Sequence, residues 1–342
     1  PSCNRCSDID VNHRYAYVAA ESRGVQIFDI NNALNPTWMT AINFAQQARV
    51  LARAGEMLFV AGASEINVVD TRDPFRPRRR STIEACASID WIRARLDAIA
   101  VGCGDSLRVF DFDTTRAGLK LRAEFFGSFV DAATIQKQWV GLTADGLIAP
   151  LDVQHAPIFA TKIQPPLPST LRRVHSADGR VVLIADEQVV VLKDDEHGLN
   201  LHAQSDIALP KGSSLLDDDT LAIAHSDGVT LYHIREDGHV VELSHYPLSR
   251  PAHGLAVQNG YLYTATSELI AAVRMLPKWP VTDRSATQIT LSLPLSLAAG
   301  RYALAFLPAG GRPVLANAPV NVSGFQLNQR VPSPLQPDAN SK

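Results

Sequence analysis

Two aspartates and a histidine stand where a metal-dependent reaction could be built. Asp90, Asp131 and His253 each fall at the start of a short predicted strand or in the turn before it. Carboxylate oxygens and imidazole nitrogens are ligands that a catalytic divalent metal accepts. If the fold brings these three side chains together, the protein is a metal-dependent hydrolase or lyase.

The other polar residues at equivalent strand starts form a mixed set. They are Asp8, Arg49, Arg172, Arg173 and Ser213. They include neither a repeated histidine nor a ring of carboxylates, and the ten histidines of the chain form no metal-binding motif. The sequence also has no nucleophile elbow, P-loop or dinucleotide-binding glycine motif. We therefore expect no catalytic residue, no metal and no cofactor, and the metal-dependent enzyme is the alternative.

Four cysteines offer redox or metal chemistry. Cys3 and Cys6 form a lone C-x-x-C, but a structural zinc needs a second pair of ligands, which the sequence lacks. A disulfide or two free thiols remain for this pair. The predicted strands place Cys86 and Cys103 near each other across an antiparallel pair, so a second disulfide and two free thiols are both open. Two oxidised pairs would place the protein outside the cytoplasm.

Charge and hydropathy narrow the class of partner. The net charge is −3, which gives no general reason to expect nucleic acid. The one basic cluster, "FRPRRRST", contains Arg76, Arg78, Arg79 and Arg80, and we expect it to be solvated. No apolar run reaches the length of about 18 residues that spans a bilayer, so we expect no membrane insertion.

The elements that must position these residues form a repeat. A strand ending in small residues, a tight turn and a second strand ending in a polar residue occur seven times, first as "YVAAESRGVQIFD". The closing residues are Asp29, Asp70, Asp111, Asp152, Asp194, His233 and Arg274, with spacings of 41, 41, 41, 42, 39 and 41. We expect the five aspartates to accept backbone N–H groups in the following turn rather than to form a ring of ligands.

Each repeat adds a short strand before this hairpin and, in the first six, a fourth strand after it. A period near 40 with four strands is typical of a β-propeller blade. The fold class is therefore all-β, a seven-bladed propeller over residues 1–280. The predicted blades cover residues 8–43, 46–84, 86–126, 128–164, 169–207, 212–247 and 251–275.

The segments "GVQIFDI", "EINVVDT" and "SLRVFDF", followed by turns such as "NNALNP", resemble the LVIVD repeats of bacterial β-propellers. The likeness is good in blades 1 and 2 and weaker from blade 4 onward, where the proline turn is lost. The resemblance implies the blade geometry and a bacterial protein. It implies no activity and no catalytic residues.

The end of the chain changes in style. Residues 284–325 alternate in a strand pattern around "PLSLAAGRYALAFL" and resemble half of an immunoglobulin-like domain of the TIG or filamin type. Residues 326–342 are rich in proline and polar residues, and we expect a flexible tail. The seventh blade shows only three strands, so its fourth comes from before Pro1, from after residue 281, or not at all.

These patterns favour a binding or architectural module over an enzyme. We expect a non-catalytic part of an exported or cell-surface bacterial multi-domain protein. Its partner would be another protein, other domains of a longer parent chain, or a glycan. The expected location is extracytoplasmic, whether secreted, periplasmic or on the cell surface.

Overall fold

A computed structural model describes residues 5–274, apart from 34, 136–137, 152–160, 163–169, 178–179, 196–197, 218, 259 and 268–269, and several short strands beyond them. The chain divides into two compact units, Pro1–Arg274 and Met275–Lys342. Regular structure in the first unit consists of β-strands in seven antiparallel sheets, which confirms the predicted seven-bladed propeller. Within the described residues there is no helix of the length and apolar character needed to cross a bilayer.

The first three blades have four strands each. Blade 1 contains β1 (Asp8–Asn12), β2 (Tyr15–Ala19), β3 (Val25–Asp29) and β4 (Thr37–Ile42). Blade 2 contains β5 (Val50–Ala54), β6 (Met57–Ala61), β7 (Glu65–Asp70) and β8 (Arg78–Glu84). Blade 3 contains β9 (Trp91–Arg95), β10 (Ala98–Gly102), β11 (Ser106–Asp113) and β12 (Gly118–Phe126).

The next three blades repeat this order. Blade 4 contains β13 (Phe129–Ile135), β14 (Gln138–Thr143), β15 (Leu147–Leu151) and β16 (Thr161–Lys162). Blade 5 contains β17 (Leu171–Ala177), β18 (Arg180–Ala185), β19 (Gln188–Asp195) and β20 (Gly198–Asp206). Blade 6 contains β21 (Gly212–Asp217), β22 (Thr220–Ala224), β23 (Gly228–Ile234) and β24 (Val240–Pro247).

The second strands of all seven blades, and the third strands of blades 1, 2, 3, 5 and 6 as far as they are described, are largely buried because each sheet packs between two others. All five residues of β6 and of β10 are buried. Six apolar clusters fill the spaces between successive blades from blade 7 through blade 1 to blade 6. Continuous apolar runs therefore replace the alternation of a sheet with one wet face.

The outer strand is set off from this core. In blades 1, 2, 3, 5 and 6 the pairing between the third and fourth strands shifts register midway, as a β-bulge does. The fourth strand is also more exposed, and the arginines of β8 lie there as expected, in contact with solvent. A bulge increases the local twist, so it turns the outer strand in these five blades relative to the inner strands.

The seventh blade closes the ring. Its sheet has three strands in the described part of the chain: β25 (Ala252–Gln258), β26 (Tyr261–Thr266) and β27 (Ile270–Arg274). An apolar cluster that includes Phe28 of blade 1 and Tyr263 of blade 7 fills the seam between the two blades. The Arg5 amide also donates to the Ser267 carbonyl at 2.8 Å. Neighbouring inner strands contact each other all the way around, so β1, β5, β9, β13, β17, β21 and β25 line a central channel.

The second unit has short strands in three small sheets. These are β28 (Val281–Arg284), β29 (Gln288–Leu291), β30 (Gly300–Tyr302), β31 (Ala305–Phe306), β32 (Val314–Leu315), β33 (Val320–Val322) and β34 (Val331–Pro332). The antiparallel pairs are β28 with β29, β29 with β34, β30 with β33, and β31 with β32. The resemblance of residues 284–325 to half of an immunoglobulin-like domain stays a prediction.

Candidate functional site

A concavity lies at one mouth of the central channel, on the face where the inner strands begin. It has a volume of about 600 Å³ and spans blades 3 to 6. The strand order explains its position: turns between second and third strands and crossovers between blades all meet on this face. We call it the mouth pocket. Its polar lining consists of Asp90, Ser128, Thr170, Arg172, Arg173, Asp186, Lys211 and Ser213, and its apolar lining includes Leu171, Ile184 and Leu209.

An arginine and an aspartate from adjacent blades form an ion pair at the inner strands. Arg93 of β9 lies 2.8 Å and 3.0 Å from the two carboxylate oxygens of Asp131 in β13. Asp131 also accepts the Val174 amide of β17 at 3.0 Å and is fully buried. One carboxylate therefore ties blades 3, 4 and 5 together, and its burial is compensated by a cation and a backbone N–H.

Asp8 plays a comparable part between blades 1 and 2. Its carboxylate accepts the Leu51 amide at 2.8 Å and the Ile9 amide at 2.9 Å. Burial raises its pKa from the ordinary value of 3.8 to about 6, although both hydrogen bonds and the charge of Arg93 act to lower it. Asp8 therefore keeps its proton to a higher pH than an ordinary aspartate does.

A second polar pair links blades 5 and 6. The Nε2 atom of His175 lies 2.8 Å from the Ser213 hydroxyl. Burial lowers the pKa of His175 to about 4, and the Arg93 and Arg173 charges act in the same direction. The imidazole is therefore neutral at pH 7, and its hydrogen-bond partner Ser213 lines the mouth pocket.

Arg173 is a cation of the mouth pocket without a close carboxylate partner. Its guanidinium donates to the Arg172 carbonyl at 3.5 Å, and the described residues include no carboxylate within 4.0 Å of it. Burial lowers its pKa, while Asp131 and Asp8 act on it from a greater distance and raise it. Asp131 is already engaged by Arg93. Arg172, in contrast, forms an ion pair with Asp186.

Asp90, Asp131 and His253, the three residues of the metal hypothesis, do not form a common site. Each has its own surroundings. Asp131 pairs with Arg93, and Asp90 is exposed and accepts the Gly104 amide at 2.9 Å. His253 is exposed near the crossover into blade 7. Among residues 5–274 as far as they are described, no group of three or more His, Cys, Asp or Glu side chains is placed to hold a metal.

Two of the four cysteines form a disulfide in blade 3. Cys86 precedes β9, Cys103 follows β10, and their Cα atoms are 5.9 Å apart. Cys6 is also disulfide-bonded, whereas Cys3 lies outside the described residues. The Cys86–Cys103 bond fixes the crossover from blade 2 to the turn that borders Gly104 of the mouth pocket.

The repeated aspartates act in turns in blades 1 and 2. Asp29 accepts the Asn31 amide at 2.8 Å, and Asp70 accepts the Arg72 amide at 3.2 Å. Each also pairs with an arginine, Arg14 or Arg72, and a hydrogen bond from that arginine lowers the pKa of the carboxyl. These are Asx-turns of the expected kind.

Blade 3 departs from the expected turn. β11 continues two residues beyond Asp111, which pairs instead with Arg122 at 2.6 Å. Asp113 takes over the turn and accepts the Thr115 and Arg116 amides at 2.9 and 3.2 Å. Asp152 and the side chain of Asp194 lie outside the described residues.

Sequence reasoning did not single out Arg93, His175 or Lys211. A charged residue inside a short strand was the available signal for Arg93, since Trp91 and Ile92 beside it are apolar and buried. The partners of Arg93 and His175 lie 38 residues away in sequence. Only the ring arrangement of the blades brings them together.

Comparison with known proteins supports the fold. No protein-family model and no curated protein sequence matches this chain. Among solved structures, Saccharomyces cerevisiae Sqt1 is similar at 13% identity with a TM-score of 0.60, covering 85% of this chain and 93% of that one. The Cps50 (Swd1) β-propeller domain of Myceliophteria thermophila is similar at 10% identity with a TM-score of 0.63, covering 81% of this chain and 99% of that one.

A third similar structure is a chain of a mitotic checkpoint complex. It shares 12% identity and a TM-score of 0.63, with 79% of this chain and 87% of that one covered. At these identities the likeness establishes the propeller architecture. The resemblance to LVIVD repeats stays a prediction.

Proposed function

We propose that this chain is a non-catalytic binding module that docks a partner protein over the mouth pocket. The observation that carries the proposal is the pocket itself, a concavity of about 600 Å³ spanning four blades with the half-exposed Leu209 at its rim. A concavity with apolar lining and a few convergent polar groups is typical of a binding site. A rigid propeller suits this role, since it presents loops from several blades on one face.

The propeller fold is compatible with a role in protein assembly. One of the similar structures is a component of the mitotic checkpoint complex. Fold alone does not assign a function, because propellers host unrelated activities. The proposal therefore depends on the mouth pocket. The similarity to solved propeller structures is compatible with it but does not carry it.

The protein partner is preferred to a glycan on the composition of the pocket. Trp91 is buried, and its indole N–H donates to the Phe129 carbonyl at 3.1 Å. Its ring is therefore not available as a flat surface for a sugar. The exposed Leu209 at the rim instead suits an apolar side chain of a polypeptide.

We further propose that the module works outside the cytoplasm, within an exported or cell-surface bacterial protein related to LVIVD propellers. The disulfide between Cys86 and Cys103 supports this location, because disulfides persist in oxidising compartments. The antiparallel strand pairs among residues 281–332 agree with an immunoglobulin-like segment after the propeller. Alkylation of intact source cells before lysis tests the location, and free Cys86 and Cys103 in the protein so trapped would contradict it.

Site-specific crosslinking tests the docking face. A photoreactive phenylalanine analogue would replace Leu209 at the mouth pocket or Leu96 in the turn between β9 and β10. Both side chains are exposed, at 51% and 71%, but they lie at opposite ends of the channel. We expect one defined protein to crosslink from position 209 and not from 96, and the purified pair to lose affinity on Leu209→Asp. Crosslinking from 96 alone, or from neither position, would contradict the proposal.

A further inference from the structure

Arg173 and Lys211 give the mouth pocket a positive charge that its own residues do not balance. The pocket contains three cations, Arg172, Arg173 and Lys211, and two anions, Asp90 and Asp186. Arg172 and Asp186 pair with each other. Asp90 is exposed, and one of its oxygens accepts the Gly104 amide. Two cations therefore face one partly engaged carboxylate.

The guanidinium of Arg173 has unused donors. Arg carries five N–H donors in a rigid plane that matches a carboxylate in bidentate geometry. The described contacts of Arg173 use one of them, at 3.5 Å. Water and an incoming ligand are the remaining acceptors for the donors that face the pocket, and a half-buried guanidinium without an ion-pair partner gains from an anion.

Ser213 adds a neutral donor on the same side. In the His175 tautomer that carries its hydrogen on Nε2, the imidazole donates to the Ser213 oxygen at 2.8 Å. The Ser213 hydroxyl hydrogen is then free to point into the pocket. His175 therefore positions Ser213 rather than touching the ligand.

We propose that the mouth pocket binds a carboxylate of a partner polypeptide, with Arg173 as the main contact and Lys211 and Ser213 as supporting ones. Among the aliphatic residues of the lining, Leu209 is exposed, whereas Leu171 and Ile184 are buried. An acidic side chain next to an aliphatic residue therefore fits the pocket. This inference rests on the proposed function, because it assigns the chemistry of the partner at the same face.

The test uses the whole chain labelled with ¹⁵N-arginine and titrated by NMR with acetyl-Leu-Glu-Leu-amide. The matched control probe is acetyl-Leu-Gln-Leu-amide, which keeps the shape and removes the charge. We expect saturable shifts of the Arg173 Nε–Hε signal with the acidic peptide and about tenfold weaker binding of the amide, since charge-assisted hydrogen bonds are roughly twice as strong as neutral ones. Equal binding of the two peptides, or no saturable shift, would overturn the proposal.

Single variants distinguish binding at the mouth pocket from an effect of the protein's net charge. Arg173→Gln should abolish binding, Lys211→Gln should weaken it, and Ser213→Ala should weaken it by about threefold. Arg79→Gln on β8 removes the same charge at a distant exposed position and should leave the affinity unchanged. If Arg173→Gln does not fold, Lys211→Gln still decides, because Lys211 is exposed. If Arg79→Gln and Lys211→Gln weakened peptide binding equally, the effect would come from the net charge of the protein. The proposed carboxylate site would then be wrong.

Titration with an acidic disaccharide, digalacturonate, tests whether the pocket prefers an acidic glycan to an acidic peptide. If it bound more tightly than the acidic peptide, the pocket would serve an acidic glycan and the polypeptide assignment would be wrong. If Leu209 crosslinks a partner but the peptide does not bind, the carboxylate assignment fails and the docking face stands. If neither occurs, both proposals fail.

Discussion

Two titrating residues near the channel couple protonation to folding in opposite directions. The pKa of Asp8 is raised by burial to about 6, so between pH 4 and 6 the folded protein binds a proton that the unfolded chain releases. The stability that this adds is lost as pH rises. The pKa of His175 is lowered by burial to about 4, so over the same range the unfolded chain holds the extra proton. Stability from His175 is gained as pH rises.

The two slopes oppose each other in the wild-type protein and should separate in single variants. Each shift corresponds to about 3 kcal/mol across its window, at about 1.4 kcal/mol per pKa unit. Relative to wild type, the unfolding free energy of Asp8→Asn should rise from pH 4 to 6 because only the His175 slope remains. His175→Gln should do the reverse. Urea unfolding at pH 4, 5, 6 and 7 measures both differences.

The comparison with wild type removes the contributions of other groups. Asp29 and Asp70, whose pKa values are lowered by arginine contacts, titrate alike in all three proteins. A double variant should show neither slope. If Asp8→Asn and wild type had parallel pH profiles, Asp8 would not titrate in this window.

At the scale of single elements, the turn between second and third strands carries different constraints in different blades. Gly24 of blade 1 and Gly104 of blade 3 have nearly the same left-handed backbone, with φ of +69° and +70°. A Cβ on Gly24 would lie 1.9 Å from the Ile42 carbonyl oxygen of β4, whereas a Cβ on Gly104 would meet nothing within 4 Å. An alanine at either position would therefore have the same backbone strain. Only at Gly24 would its Cβ also clash with β4.

We expect Gly104→Ala to cost about 1 kcal/mol, the strain of an alanine in the left-handed region. Gly24→Ala should cost at least about 3 kcal/mol, because the outer strand β4 must also move away from β3. Chemical denaturation of both variants measures the difference. Equal destabilisation by the two variants would mean that β4 moves away from β3 with no loss of folding free energy.

The repeat made the turns that follow the third strands predictable. It did not predict the residues that line the channel. The period near 41 and the closing aspartates indicated seven blades and the Asx-turns of Asp29 and Asp70. The turn in blade 3 was misplaced, because β11 runs two residues longer and Asp113 rather than Asp111 accepts the turn amides. Arg93 and Asp131 could not be paired in advance, since their contact depends on how adjacent blades meet.

At the scale of the whole molecule, the ring depends on one seam, between blades 7 and 1, whose described residues are far apart in sequence. Blades 1 and 7 meet through an apolar cluster and the Arg5–Ser267 backbone hydrogen bond. At the other six seams the chain itself connects the blades. Among the described residues, the seam between blades 7 and 1 is held by packing and by this hydrogen bond, and we expect the ring to open there first.

Gly254 of β25 tests this seam directly. A Cβ on Gly254 would lie 2.6 Å from Oδ1 of Asp8 and 2.8 Å from the Ile9 amide nitrogen, so Gly254→Ala inserts a methyl group against β1. Overpacking of this kind costs about 1–3 kcal/mol. Gly118→Ala is the matched control, since its Cβ would meet nothing within 4 Å. Hydrogen exchange followed by mass spectrometry should show faster exchange in residues 8–29 and 252–274 of Gly254→Ala. Faster exchange spread evenly over all seven blades would instead mean that the ring opens as one cooperative unit, because the seam would then be no weaker than the covalently connected ones.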